Sequence, residues 1–540
     1  MQLKIVMAQL NPLVGDIDGN AQKVLVAIEQ AQQQGADVLV FPELMLTGYP
    51  PEDLLLRPSI KPRVDRSLAR ICAAVGDIYV VVGYPRLRAE GLFNCAGVIH
   101  RGMLIAEYDK QELPNYRVFD EKRYFVAGIQ ATVVNIRGVP VGISVCEDIW
   151  QLAPIQRAKT AGARLLLNLN ASPFHVGKQH EREQLLQTRA REGDMPIVYV
   201  NLVGGQDELI FDGGSLVVDA QGDAQFIAPS FEEGLFAVDV AWDGQQCTIA
   251  RSESPAPLAR VESVYRALVL GVRDYVNKNR FNGVVLGLSG GIDSALTLAI
   301  AVDALGADRV EAVMMPFRYT AQISIDDAAD EARRLGVNYR SIPIEAIYNS
   351  LIEALAPEFE NRPLDKTEEN IQARCRGVLL MAISNKKGSM VLTTGNKSEM
   401  AVGYSTLYGD MAGGLDVLKD VPKTLVFELS NYRNTIAPVI PQRVIDRPPS
   451  AELAPDQKDQ DTLPPYDELD RILELYVEHD YSLDAIVAEG FERDVVARVI
   501  RMVDLNEYKR RQSPVGIRIS QRGFGRDRRY PITSGWKAGD

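Results

Sequence analysis

The sequence lacks any long apolar run and is poor in cysteine, and each shortage excludes a class of protein. No segment approaches the roughly 18 consecutive apolar residues that cross a membrane. In residues 1–8, apolar and polar side chains alternate, which predicts a first strand and not a signal peptide. The five cysteines are odd in number, widely spaced and without a C-x-x-C pair, so neither a disulfide framework nor a zinc site is expected. We therefore expect a cytoplasmic protein with no membrane partner.

Positive charge is also in short supply. The chain carries 59 Lys and Arg against 72 Asp and Glu, a net charge of −13, which argues against nucleic acid as the main partner. Hydrophobic residues make up 46% of the sequence, as in an ordinary globular protein. At 540 residues the chain is too long for a single core, so two or more domains are expected.

Strand-like and helix-like segments alternate in two α/β blocks. In the first block, 1–245, a helix is predicted at 20–34 and strands at 36–42, 78–83, 93–100, 103–108, 139–145, 163–169 and 196–201. Serine and proline interrupt the pattern at 246–260, which predicts a linker. The second block, 261–540, begins with a predicted helix at 261–277, and five prolines within 445–465 predict a mobile loop.

A lysine is absent where a common phosphate-binding loop would need one. The apolar run Val284-Val285-Leu286-Gly287-Leu288 is followed by Ser289-Gly290-Gly291-Ile292-Asp293-Ser294 and a helical segment, so free N–H groups at the helix start would face an anion. The Walker A loop has a lysine after its glycines, whereas here Asp293 could hold a metal ion on a pyrophosphate. The string resembles the PP-loop of ATP pyrophosphatases, which implies cleavage between the α- and β-phosphates and transfer of AMP to an acceptor. A plain glycine turn before a helix is the alternative.

Three chemically active side chains follow separate predicted strands of the first block. Glu43 follows the buried strand at 36–42, Lys110 follows the second strand of the hairpin, and Cys146 ends the strand at 139–145. A carboxylate base, a thiol nucleophile and an ammonium that stabilises an oxyanion suffice for amide hydrolysis through a thioester. Taken singly, the cysteine could be a small buried residue and the two charged residues could be solvated.

The sequences around these residues carry a family resemblance. Phe41-Pro42-Glu43-Leu44, Asp109-Lys110-Gln111-Glu112-Leu113-Pro114 and Cys146-Glu147-Asp148-Ile149-Trp150 together resemble the Glu-Lys-Cys triad of the nitrilase (carbon–nitrogen hydrolase) superfamily. The resemblance implies an α-β-β-α sandwich over about 1–245. Its glutamine amidotransferase members imply that Tyr116, Ser172 and Lys178 hold glutamine, with Glu121 as a weaker candidate for a second, orienting carboxylate.

The second block contains further polar strings that suit a nucleotide and its metal better than a packed core. They are Glu369-Asn370-Ile371-Gln372-Ala373-Arg374-Cys375-Arg376, Thr393-Thr394-Gly395-Asn396-Lys397-Ser398-Glu399 and Gly403-Tyr404-Ser405-Thr406-Leu407-Tyr408-Gly409-Asp410. With the PP-loop they resemble the NAD synthetase family, and the whole chain is similar to its glutamine-dependent, two-domain form. An exposed amphipathic helix is the alternative for the first string alone.

This resemblance implies a doubly wound parallel sheet and a specific reaction. Deamido-NAD would be adenylated by ATP, and ammonia from glutamine would then displace AMP to give NAD. ATP would be bound by Gly287, Leu288, Ser289, Gly290, Gly291, Ile292, Asp293, Ser294 and Thr394. Deamido-NAD would be bound by Asn370, Glu399 and Lys509. Asp293 and Glu399 would bind Mg²⁺, and Lys423 is a weaker candidate for a phosphate contact.

The basic run that starts at Lys509 and ends at Arg529 would, alone, be compatible with a nucleic-acid-binding tail. Aromatic residues between its charges are sparse, and a dinucleotide substrate accounts for one or two of them, so most of the others are expected at the surface or in subunit contacts. We expect small-molecule substrates, no nucleic acid, and a homo-oligomer. Two other functions stay open: a plain amidase with a nucleotide-sensing domain, and an amidotransferase with a different acceptor. The intact PP-loop string counts against the first, and the nitrilase-type block against the second.

Overall fold

The computed structural model describes residues 1–536 except 361, 451, 455, 456 and 462. The chain divides into two compact units, Met1–Leu258 and Ala259–Asp540. Among the described helices, none combines the length and the apolar character needed to cross a bilayer.

The first unit contains fifteen strands and four helices. Its strands are β1 (Gln2–Gln9), β2 (Val38–Val40), β3 (Tyr79–Arg88), β4 (Gly91–His100), β5 (Met103–Asp109), β6 (Thr132–Ile136), β7 (Val139–Val145), β8 (Leu165–Asn170), β9 (Ile197–Asn201), β10 (Val203–Gln206), β11 (Leu209–Asp212), β12 (Leu216–Val218), β13 (Ala224–Ile227), β14 (Gly234–Trp242) and β15 (Cys247–Ile249). Its helices are α1 (Ile17–Gln33), α2 (Ile60–Ala74), α3 (Leu152–Thr160) and α4 (Lys178–Gly193).

These elements form a four-layered sandwich. A seven-stranded sheet has the order β15-β14-β1-β2-β3-β4-β5, and a six-stranded sheet has the order β13-β12-β9-β8-β7-β6. Alternation along β1 sends Leu3, Ile5 and Met7 between the two sheets, while Val6 and Ala8 pack with α1 and α2 on the other face. Helices α3 and α4 cover the six-stranded sheet. The predicted α-β-β-α sandwich is confirmed.

Some predicted element boundaries differ from the observed ones, because contacts with distant residues determine where an element begins and ends. The segment predicted as a linker, 246–260, includes β15, which pairs antiparallel with β14 between Val240 and Ile249 and between Trp242 and Cys247. The strand predicted at 36–42 is shortened to β2, and the helix predicted at 20–34 begins earlier, where Asp16 accepts a hydrogen bond from the backbone N–H of Gly19.

The second unit is built on a five-stranded, fully parallel sheet of order β18-β17-β16-β19-β20. The strands are β16 (Val284–Gly287), β17 (Val310–Met314), β18 (Asn338–Ser341), β19 (Met390–Thr393) and β20 (Leu415–Asp416). The helices before and between the strands are α5 (Arg260–Lys278), α6 (Ile292–Leu305), α7 (Gln322–Leu335), α8 (Glu345–Phe359), α9 (Lys366–Lys387) and α10 (Lys397–Val402). This is the predicted doubly wound α/β architecture, and the edge at which its strands end is where ligands bind in such sheets.

Further helices follow the sheet: α11 (Lys423–Ile436), α12 (Gln442–Asp446), α13 (Tyr466–Leu473), α14 (Leu483–Ala488), α15 (Arg493–Leu505) and α16 (Glu507–Arg510). Helices α13, α14 and α15 share an apolar cluster with Ala401 and Val402 of α10. The predicted mobile loop, 445–465, contains four of the positions outside the described residues, so its mobility stays a prediction.

Candidate active sites

Glu43 lies three residues after the end of β2, on the carboxyl side of the strand, as its sequence position predicts. The backbone beside it approaches the neighbouring strand so closely that a Cβ at Gly83 would lie 2.5 Å from the backbone nitrogen of Leu44. A glycine is therefore needed in β3 at this point. The Glu43 side chain is fully buried, which makes its hydrogen-bond partners decisive.

Glu43 and Lys110 form one buried ionic cluster. The Lys110 ammonium donates to Glu43 Oε1 at 2.7 Å and to Glu121 Oε1 at 2.8 Å. Glu43 also accepts from Asn94 Nδ2 at 2.7 Å and from the backbone N–H of Ala171 at 3.1 Å. Burial lowers the pKa of Lys110, but Glu121 and Glu43 together raise it well above its usual value, so the group stays charged.

Cys146 lies at the end of β7 with a backbone φ of 45°, in the left-handed region that non-glycine residues seldom adopt. Burial, and then the charge of Glu43, raises the pKa of its thiol well above the ordinary value. The resting cysteine is thus a thiol that needs a base to react. Glu43 and Lys110 both act electrostatically on it, so the structure brings the three predicted residues together.

A carboxylate that the sequence analysis did not single out ties two of these strand ends to each other. Asp148 Oδ1 accepts from the backbone N–H groups of Gln111 (3.0 Å) and Glu112 (2.8 Å). Its Oδ2 accepts from the Tyr108 hydroxyl at 2.8 Å and from the Val145 N–H at 3.0 Å. One buried side chain therefore fixes the segment that carries Lys110 against the segment that carries Cys146.

Two of the residues predicted to hold glutamine, Tyr116 and Lys178, lie near the same thiol. The half-exposed Tyr116 donates to Glu147 at 3.1 Å, and the Lys178 ammonium lies 3.9 Å from the ring centroid of Trp150. Burial lowers the pKa of the Lys178 ammonium and raises that of the Tyr116 hydroxyl. These side chains offer a cation and a hydroxyl to an amino-acid substrate.

Ser172 is held by a residue that the sequence analysis missed. The fully buried Arg182 donates to Ser172 Oγ at 3.2 Å and to both carboxylate oxygens of Asp212 at 2.8 Å. Arg182 lies one helical turn after Lys178 on α4, so the four-residue spacing was the available signal.

The second unit encloses a cavity of about 560 Å³ at the carboxyl ends of its parallel strands. Of the eight predicted loop residues, seven line it: Gly287, Leu288, Ser289, Gly291, Ile292, Asp293 and Ser294. Gly290 does not; its φ is 81°, and a Cβ there would lie 2.2 Å from the carbonyl oxygen of Ser324. The Ser289 and Ser294 hydroxyls lie 3.1 Å apart, and α6 starts at Ile292, so the loop has the form of an anion cradle.

The two predicted metal ligands converge on one lysine. The Lys423 ammonium, buried, contacts Asp293 Oδ2 and donates to Glu399 Oε1 at 3.3 Å, while Asn396 Nδ2 donates to Asp293 Oδ1 at 2.9 Å. Burial lowers the pKa of Lys423, but Asp293 and Glu399 together raise it above its usual value. Burial raises the pKa of Glu399 to about 8, although Lys423 opposes the shift.

These donors suit a magnesium ion. The Asp293 and Glu399 carboxylates both contact the Lys423 ammonium, so they lie close to each other and offer the hard oxygen ligands that Mg²⁺ prefers. In the part of the chain that the structure describes, no group of three or more metal-binding side chains comes together. Substrate phosphates and water would have to complete the shell, which is the usual arrangement for Mg²⁺.

The remaining predicted nucleotide residues also line the cavity. Thr394 follows β19, Asn370 Oδ1 accepts from Thr406 Oγ1 at 2.9 Å, and Lys509 Nζ donates to the carbonyl oxygens of Gly403 and Ser405. Burial lowers the pKa of Lys509.

Arg376 was not identified as a site residue from the sequence. It lines the cavity, nearly buried, and donates from Nε to the carbonyl oxygen of Met315 at 3.1 Å. Its position on α9, six residues after Asn370, matches the polar string noted in the sequence.

The C-terminal basic run corrects an expectation. Most of the run was expected at the surface or in subunit contacts, and Arg511, Arg526 and Arg529 are indeed exposed, but Arg510, Arg518 and Arg528 are buried within their own unit. Arg510 and Arg528 both pair with Glu507, and Arg518 pairs with Asp527. These three arginines therefore stabilise the fold of the second unit.

Comparisons with known proteins agree with this geometry. Residues 4–247 match the family model of carbon-nitrogen hydrolases, and residues 264–513 match that of NAD synthases. The chain is 52% identical to the glutamine-dependent NAD(+) synthetase of Acinetobacter baylyi and 48% identical to that of Xylella fastidiosa, with 99% of each chain covered.

Two solved structures resemble the chain over its full length. The glutamine-dependent NAD+ synthetase from Acinetobacter baumannii, in complex with adenosine diphosphate, covers 100% of both chains at 49% identity and a TM-score of 0.81. A glutamine-dependent NAD(+) synthetase from Cytophaga hutchinsonii has a TM-score of 0.86 at 24% identity, covers 99% of this chain and 98% of that one, and supports the fold alone.

Proposed function

The chain belongs to the glutamine-dependent NAD(+) synthetases, and on that premise we propose which of its residues perform each half of the reaction. The enzyme uses ATP and ammonia from glutamine to amidate deamido-NAD through an acyl-adenylate, yielding NAD, AMP, pyrophosphate and glutamate. This membership removes the two alternatives left by the sequence, a nucleotide-sensing amidase and an amidotransferase with another acceptor.

In the first unit, Glu43 takes the proton of the Cys146 thiol, and the thiolate attacks the side-chain carbonyl of glutamine. The Lys110 ammonium stabilises the oxyanion, and Glu43 passes the proton it took from the thiol to the amide nitrogen, which leaves as ammonia. Water then hydrolyses the thioester to glutamate, which frees the Cys146 thiol. Tyr116, Ser172 and Lys178 bind the amino acid. The supporting observation is the buried contact of 2.7 Å between Lys110 and Glu43, beside a thiol that needs a base.

In the second unit, Gly287 to Ser294 and Thr394 bind ATP, and Asn370, Glu399 and Lys509 bind deamido-NAD. Asp293 and Glu399 would hold Mg²⁺, which supplies charge compensation for the pyrophosphate leaving group. Lys423 keeps the two carboxylates close together and donates to anionic groups bound beside them. The single cavity that contains all but one of these residues supports the assignment.

Replacing the nucleophile separates the two halves. In Cys146→Ala no thioester can form, so NAD synthesis from glutamine should fall to background. Synthesis from ammonium salt should persist, because free ammonia attacks the adenylate directly. NAD formation with each nitrogen source, measured on the purified protein, checks this.

Cys247→Ala is a matched control, since Cys247 is also buried in the first unit but lies in β15, away from the site. It should keep both activities. A Cys146→Ala protein that still uses glutamine would contradict the triad, and a folded one that loses the ammonia reaction would contradict the separation of the two chemistries.

We further propose a cytoplasmic homo-oligomer. All five cysteines are free, as a reducing compartment requires. Ammonia released in one domain must also reach an adenylate in the other before it is lost to water, and an assembly of several chains would protect that transfer.

A further inference from the structure

A tyrosine outside the proposed triad contacts the ionic cluster directly. Tyr49 lies nine residues after β2, and 4% of its surface is exposed. Its hydroxyl donates to Glu121 Oε1 at 2.8 Å, the same oxygen that accepts from the Lys110 ammonium. Glu121 Oε2 is buried and has no hydrogen-bond partner among the described residues.

The Glu121 carboxylate therefore depends on two donors that share one oxygen. Lys110 also pairs with Glu43, so the position of its ammonium depends on both carboxylates. If the tyrosine hydroxyl is removed, Lys110 is the one side chain among the described residues that still donates to the Glu121 carboxylate, which can then rotate or take up a proton. Either change alters the position of Lys110 relative to Glu43 and Cys146.

We propose that Tyr49 is a positioning residue of glutamine hydrolysis: its hydroxyl orients Glu121, which in turn holds the Lys110 ammonium in place beside Glu43. The proposal rests on the roles proposed above for Lys110 and Cys146. Tyr49 acts through Glu121 and needs no contact with the substrate.

The charges around Glu121 determine the direction of the pH effect. Burial raises the pKa of Glu121 to about 7, while Lys110 and the hydrogen bond from Tyr49 oppose the rise and Glu43 adds to it; Glu121 also acts on Cys146. A hydrogen bond to the ionised form lowers a carboxyl pKa, so removing the hydroxyl raises it. Glu121 then stays protonated to higher pH, and the acid limb of the glutamine reaction moves upward.

The test is Tyr49→Phe in the full-length chain, assayed from pH 6 to 9 with glutamine and, separately, with ammonium salt. We expect kcat with glutamine near pH 7 to fall about 10-fold, the value of a hydrogen bond to a charged group. The midpoint of the acid limb of the pH–rate profile should move to higher pH by about one unit. KM for glutamine should stay within about 2-fold of the wild-type value, since the substrate contacts are intact. NAD synthesis from ammonium should keep its wild-type rate and pH profile.

Tyr124→Phe is the matched control, because the Tyr124 hydroxyl donates to the exposed Asp53 at 2.7 Å; it should leave every parameter unchanged. A second variant, Glu121→Gln, removes the titrating group, and adding Tyr49→Phe to it should produce no further shift of the pH profile.

Three results would overturn the proposal: an unshifted profile with wild-type kcat, a loss confined to KM, or a full additional shift in the double variant. Loss of the ammonium reaction in Tyr49→Phe would also overturn it, since the effect would then be on folding. Failure of the triad itself would be recognised separately, by glutamine use in Cys146→Ala.

Discussion

A buried lysine ammonium lies between two carboxylates in each unit of the chain. Lys110 contacts Glu43 and Glu121, and Lys423 contacts Asp293 and Glu399. Buried charges of one sign are unfavourable without a partner, so each lysine allows two acids to remain close together. In the roles proposed above, the ammonium of the first unit stabilises an oxyanion, and that of the second unit balances two acids beside the proposed ATP site.

The carboxylate at the phosphate loop gives a prediction at the residue scale. Asp293→Asn keeps the side-chain shape and removes the charge, so NAD formation should fall by about 100-fold or more with either nitrogen source. Glutamine hydrolysis should survive, because Cys146 belongs to the other unit. Coupled assays of NAD and of glutamate check both effects.

Asp326→Asn is the matched control, since Asp326 lies on the exposed side of α7 and contacts only Gln322 among its described hydrogen-bond partners. Near-normal NAD formation by Asp293→Asn would exclude the assigned role of that charge.

The sequence motifs pointed to the proposed triad but not to the residues that hold it in place. Glu43, Lys110 and Cys146 stand in extended motifs, whereas Asn94 and Tyr49 act across separations of 51 and 72 residues that local patterns do not encode. One signal was present: Asn94 is a buried amide in the otherwise apolar strand β4, and a buried polar group needs a partner.

At the scale of secondary structure, the ends of β5 and β7 are joined by Asp148. Asp148→Asn replaces an acceptor with an amide whose NH₂ group would face backbone N–H donors, so at least one hydrogen bond is lost and one donor is left unpaired. We expect the free energy of unfolding of the first unit to fall by about 1–3 kcal/mol. Thermal or urea unfolding followed by a probe in that unit measures this.

The same variant should lose most glutamine-dependent activity, because Lys110 and Cys146 are no longer held in register, and should keep ammonium-dependent synthesis. Asp53→Asn, at an exposed position, provides the comparison. Wild-type stability together with full glutamine use would show that Asp148 does not join the two segments.

Elements with strong patterns were predicted well, and those formed by pairing alone were not. The strand at 139–145 is confirmed with both of its boundaries, since an apolar run ends at a turn on each side. Strand β15 was taken for linker because three residues carry no readable period, and only its pairing with β14 makes it a strand.

At the scale of the whole molecule, each unit has its own core and its own site. The proposed oligomer predicts that light scattering on the purified protein gives a multiple of the chain mass of 59.6 kDa. Glutamate and NAD should form in nearly equal amounts in that state. A monomer that couples the two reactions equally well would disprove the need for assembly.

The internal ion pairs of the C-terminal arginines affect how substrates arrive. Positive charge at Arg510, Arg518 and Arg528 is neutralised inside the fold, while the chain as a whole carries a net charge of −13. ATP and deamido-NAD are anions, so the long-range field of a chain with this net charge opposes their approach. Dissolved salt shortens the reach of that field to about 8 Å at physiological ionic strength. Substrate capture by this enzyme should therefore become faster as salt is added, the opposite of an enzyme whose field steers its ligands inward.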